Sequence, residues 1–183
     1  MLPIAVIPAL FALQQAFEGA VWLTKGNATL IAFGFMYKFL FFAFCIWPIW
    51  IPFSLFCIET NHQRRSLIAF SWIIGFAIAL LLLLSLLYYG SNVSYYGCGL
   101  VYDIHPAVQG NWNWGILWYM VPTIAPFFIS SQPGTTLVGI VFALSALVAW
   151  LVWQHAFISV WCFFAACIGS LLVVYLPHWR IKS

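Results

Sequence analysis

The chain has 183 residues, of which 66% are hydrophobic, 20% aromatic and 5% charged, a mix that excludes an ordinary soluble domain, where about a quarter of residues are charged. Its apolar residues run uncharged for about 18 positions or more at a time, long enough to cross a hydrocarbon core as helices, and they lack the alternation over about ten residues that barrel strands need. A net charge of +3 is too small to suggest nucleic acid, and five cysteines with no CxxC pair, four of them in apolar runs, argue against a disulfide framework. The expected fold is all-α, a polytopic transmembrane helical bundle in one domain over residues 1–183.

Six spans are predicted, at about 2–24, 28–58, 66–89, 113–131, 135–153 and 156–177. The first opens on MLPIAVIPALFAL, without the basic start of a secretory signal, and continues through Trp22, so it reads as a retained helix. At about 100° per residue, Phe11, Gln14, Gln15, Glu18, Trp22 and Lys25 fall on one face. Glu18 lies roughly 9 Å from the end of this helix at 1.5 Å per residue. A carboxyl group at such depth normally faces the bundle interior, a cavity or a charged partner.

The second span holds WPIWIP, whose Pro48 and Pro52 each lack a backbone donor, so a kink is predicted there. It also carries Lys38, the only basic residue inside a span. An antiparallel hairpin of the first two helices would bring this lysine to a depth close to that of Glu18, so that a buried ion pair between them is expected or, failing that, hydrogen bonds to Glu18 from side chains of neighbouring helices. The connection ETNHQRRS carries Arg64 and Arg65. The stretch 90–112 reads as a long loop rich in Gly, Asn, Ser and Tyr, with Asp103 and His105 in YDIHP and a sequon-like Asn92-Val93-Ser94. In the fifth span Gly139, Ala143 and Ala146 mark a close helix contact. His155 stands at the start of the last span, with Ser159 and Cys162 following it down one face at i+4 and i+7.

Arg64, Arg65, Arg180 and Lys182 fall on one side of six spans and Lys25 on the other, which predicts cytoplasmic N- and C-termini and an external 90–112 loop. Tyr88, Tyr89, Trp112, Trp114 and Trp153 would form the outer aromatic belt. Asp103, His105 and His155 then share the outward half with Glu18, a set able to hold zinc or another divalent metal while Glu18 activates its water. Against this stands the absence of any fixed ligand spacing such as HExxH. Haem is disfavoured because His105 and His155 lie in turns rather than on facing helices.

The segments ALFALQQAFEGAVWL, WPIWIP and FISVWCFFAA resemble a family of small uncharacterised bacterial multi-pass membrane proteins, a domain of unknown function. The resemblance covers nearly the whole chain. Members often begin with one further helix opening on Met-Cys-Phe-Ser, which is absent here. The family carries no activity over, but its matching strings include Gln14, Gln15, Glu18 and the stretch from His155 to Cys162.

The functional expectation is a polar pocket in the outward half, built from Gln14, Gln15, Glu18, Trp22, Lys38, His155 and Ser159, that binds a small ligand, lipid or metal. Its enzymatic form would be metal-assisted hydrolysis of a lipid, with Glu18 catalytic. The alternatives are a non-catalytic subunit or scaffold among other membrane subunits, and a small transporter. Membrane lipids are the expected surroundings and the bacterial cytoplasmic membrane the expected location.

Overall fold

A computed structural model describes residues 2–24, 30–97, 99–103 and 112–175. Helix α1 (Leu2–Leu23) is followed by α2 (Leu30–Phe41), a π-helical turn (Phe42–Ile46), α3 (Trp47–Ile58) and α4 (His62–Tyr89). Strands β1 (Asn92–Tyr96) and β2 (Gly99–Asp103) come next, then α5 (Trp112–Thr123), α6 (Ala125–Ile129), α7 (Thr135–Val152), a 3₁₀ turn (Gln154–Ala156) and α8 (Phe157–Tyr175). Among the described residues, five stretches are long and apolar enough to cross a membrane: Pro3–Leu23, Ile31–Ile58, His62–Tyr89, Thr135–Val152 and Gln154–Leu171. The protein is an all-α membrane protein, with a small β-hairpin added.

The predicted fourth span is not a continuous helix. Ile124, at φ −121° and ψ −45°, divides α5 from α6. Pro126 follows it and has no N–H for the carbonyl four residues back, so neither the 12-residue nor the 5-residue piece reaches the about 20 residues of a spanning helix.

The second span, by contrast, stays helical through both of its prolines, and local compensation explains why. Trp47 N–H bonds to Phe42 O, five residues back, so the π register would next pair Ala43 O with the nitrogen of Pro48, which carries no hydrogen. The Tyr119 hydroxyl of α5 donates to Ala43 O instead. One turn on, Pro52 leaves Pro48 O without a helical donor. That oxygen lies against Gly75 of α4, so close that a Cβ there would stand 1.9 Å from it. The irregularity predicted at Pro48 and Pro52 therefore falls one turn earlier, and α3 and α4 meet through backbone at Gly75.

Helix α1 packs against α2, α3 and α8, and α7 packs against α6 and α8. The stretch 92–103, expected to be loop, forms the hairpin: Asn92 pairs with Asp103, Tyr95 with Leu100 and Tyr96 with Gly99. Gly97 takes φ +57° in its turn, a conformation that L side chains rarely adopt. Val93, Tyr95, Leu100 and Tyr102 join the apolar cluster of Val21, Met36, Phe39 and Leu40, and β2 lies against α8 and the 3₁₀ turn. The hairpin is thus set into one end of the bundle and buries the residues of alternate positions.

A buried carboxylate beneath the hairpin

The polar stripe of α1 is turned inward, where three elements meet it. Gln14 is fully buried at 0% exposure. Its Oε1 accepts from Trp47 Nε1 of α3 at 2.6 Å and its Nε2 donates to Cys162 Sγ of α8 at 3.2 Å. Gln14 is a clip joining three helices, with both ends of its amide engaged.

Glu18, one turn along, is 4% exposed. The Tyr102 hydroxyl of β2 donates to its Oε1 at 3.3 Å, and the side chains of Ser159 and Gln15 also face the carboxylate. The Nε2 of Gln15 is buried beside it without reaching hydrogen-bond geometry to any described group. Burial first, then the adjacent Glu18 and Cys162, push the Tyr102 hydroxyl far above its ordinary pKa, so this oxygen keeps its proton. Around the site, Phe39 stacks on Tyr102 with ring centroids 5.0 Å apart, Trp22 meets Tyr95 edge-on at 5.5 Å, and the Tyr95 hydroxyl donates to Val21 O at 3.0 Å.

Lys38 does not pair with Glu18, which corrects the expected ion pair. Its side chain is exposed, with the ammonium over the rings of Phe17 and Phe35 at 5.6 and 5.4 Å. Helical phase is the reason: Ala32, Met36, Phe39 and Leu40 are the buried face of α2, and residue 38 is about 200° round from residue 36. Asp103 and His155 are exposed at the end where β2 meets the 3₁₀ turn. His105 and Lys25 lie outside the described residues, and among those described no group of three His, Cys, Asp or Glu side chains could hold a metal ion. The structure thus brings Gln15, Glu18 and Ser159 together, sets Gln14 one turn away and Trp22 against Tyr95 of the hairpin, and leaves Lys38 and His155 on the surface. Sequence reasoning missed Tyr102, Tyr95 and Trp47. The signal for the two tyrosines was present in NVSYYGCGLVYD, aromatic and β-branched residues around a glycine-rich turn.

Glu59, between α3 and α4, shows what a satisfied carboxylate looks like in the same molecule. It is 2% exposed, yet Oε1 accepts from Asn61 N at 2.9 Å and from Ser131 Oγ, while Oε2 accepts from Ser131 N at 2.7 Å and Ser130 Oγ at 2.9 Å. Burial alone would raise its pKa, but the bonds from Ser131, Asn61 and Ser130 outweigh burial and hold it below the ordinary carboxylate range. Arg64 Nη1 reaches Ile129 O and Ser130 O at 3.0 and 3.3 Å, and Gln132 Nε2 reaches Ile58 O at 2.8 Å. This is a clasp between two connections. Among the described residues, Glu18 is met by the side chains of Ser159, Gln15 and Tyr102 and by no backbone N–H.

A family of unknown function, DUF6629, matches residues 1–182, and the chain belongs to it. No curated protein and no solved structure matches the chain.

Proposed function

For this member of a family of unknown function, we propose a multi-pass protein of the bacterial cytoplasmic membrane whose Glu18 centre binds a small ligand in the outward half of the bundle, under the hairpin. Arg64 and Arg65, with Arg180 and Lys182 of the tail, assign the α3–α4 connection and both termini to the cytoplasm and the hairpin to the outside. The observation that carries the reading is Glu18 itself: an ionisable group inside an apolar span, sealed from solvent, faced by hydroxyl and amide groups and, among the described residues, by no cationic side chain. Such a group is costly, and membrane proteins keep one where it serves binding or transfer. Asp103 and His155 stay at the exposed rim and are not drawn on.

Dicyclohexylcarbodiimide, an apolar reagent for carboxyl groups in membranes, provides the test, with mass spectrometry to locate the adduct. Glu18 should be modified in the purified protein, and faster in Tyr102→Ala, where the hairpin is loosened. If Glu18 stays unmodified in both, it is a sealed structural carboxylate and the reading fails.

A further inference from the structure

Resting on that reading, we propose that the ligand of the Glu18 centre is a single alkali-metal cation, held by the Glu18 carboxylate together with the Tyr102 hydroxyl, the Ser159 hydroxyl and the Gln15 amide oxygen.

Charge comes first. The described groups that face Glu18 from the surrounding elements are neutral: Gln15 on α1 itself, Tyr102 on β2, Ser159 and the Cys162 thiol on α8. The indole of Trp47 on α3 is already bonded to Gln14, and Tyr95 of β1 is bonded to Val21 O. The one described cation of α2, Lys38, is turned outward onto Phe17 and Phe35. When Glu18 is ionised, its one negative charge in a low-dielectric site is balanced by one positive charge, whereas a divalent ion would leave a surplus charge buried.

Donor type comes second. A carboxylate, two hydroxyls and an amide carbonyl are hard oxygen ligands, suited to hard cations rather than to zinc or copper. The soft ligand nearby, Cys162, is occupied by Gln14.

Geometry comes third. The Tyr102 hydroxyl is 3.3 Å from Glu18 Oε1, longer than the about 2.7–2.8 Å usual for O–H···O bonds. Two oxygens each about 2.4 Å from one cation, as in calcium sites, stand about 3.4 Å apart when they subtend a right angle. The observed spacing, a long hydrogen bond as it stands, also fits two neighbouring ligands of one cation. Gln15 adds a further sign, because its buried Nε2 faces Glu18 without reaching hydrogen-bond geometry to any described group. Half a turn of that amide exchanges nitrogen for oxygen and supplies the fourth ligand.

The experiment uses the full-length purified protein at fixed pH and ionic strength, in sodium, potassium, calcium or choline chloride. Two readouts are followed: the rate at which dicyclohexylcarbodiimide modifies Glu18, and the melting temperature. Sodium or potassium, at ten times its dissociation constant, should slow labelling about tenfold relative to choline, by mass action. It should also raise the melting temperature of the wild type and of Asp103→Asn, but not of Glu18→Gln, and Tyr102→Phe should need more salt for the same effect. Labelling at equal rates in all four salts would overturn the cation while leaving the binding centre standing, as would protection that only calcium gives. If Glu18 is never labelled and no salt shifts the melting temperature, both the cation and the binding centre fail.

Discussion

Gln14 shows how one polar side chain can hold a membrane bundle together. Its amide bonds to Trp47 and Cys162, so Gln14→Leu leaves the Trp47 N–H buried without an acceptor while keeping the bulk. The expected loss is about 1–2 kcal/mol, the range for an unmade buried bond and for interhelical bonds in membranes, read as lowered resistance to thermal unfolding in detergent. Glu59 makes a different prediction, because its stabilisation is a matter of charge. Its folded-state pKa lies below the unfolded value, which is about 4.3. The group therefore contributes stability that is complete above the unfolded value and is lost as pH falls through the folded one. Wild-type melting temperature should drop as pH falls below the unfolded value, and Glu59→Gln should start lower at pH 7 and change less over the same acid range. An equal acid slope in the two proteins would show that the clasp does not depend on ionised Glu59.

Helices α3 and α4 approach through backbone, and Gly75 is where they do so. A methyl group there would meet Pro48 O at 1.9 Å and Pro48 C at 2.9 Å, and backbone cannot swing aside as a flexible side chain can. Gly75→Ala is expected to cost at least the about 1–3 kcal/mol of overpacking, with lower melting temperature or failure to accumulate in the membrane. Gly19→Ala on α1 meets nothing within 4 Å and should be neutral or gain up to about 1 kcal/mol from helix propensity. Comparable behaviour of the two variants would show that the α3–α4 contact adjusts freely. The same elements explain why one proline site breaks its helix and another does not. The carbonyls freed at Ala43 and Pro48 meet a tyrosine hydroxyl and a glycine backbone, and the helix runs on. At Pro126 the chain instead turns at Ile124.

The molecule as a whole is polar at selected points inside and apolar outside. Leu67, Phe70, Leu81 and Leu84 of α4 and Leu137, Leu144 and Leu151 of α7 are exposed, while Gln14, Glu18 and Glu59 are buried, as suits a surface solvated by lipid tails. The proposed orientation makes a prediction at this scale. With exposed Cys57 and Cys167 replaced by serine, Cys98 should react with an impermeant maleimide in intact cells, and Gln63→Cys should react only after the membrane is opened. The reverse pattern would invert the topology.

Membrane class, helical content and the position of the polar stripe were legible in the sequence because they depend on length, hydropathy and periodicity, which add up residue by residue along a short stretch. The inward turn of Gln14 and Glu18 follows from the same sum, since a stripe of polar groups in an apolar helix has one favourable side to face. Partnership does not add up in that way. Tyr102 reaches Glu18 across 84 positions and Cys162 reaches Gln14 across 148, and Lys38, at a suitable depth for Glu18, lies on the wrong side of α2 by helical phase. Which donor meets the carboxylate was decided by the rotation of each helix about its axis and by a hairpin folded into the end of the bundle, and packing in three dimensions sets both.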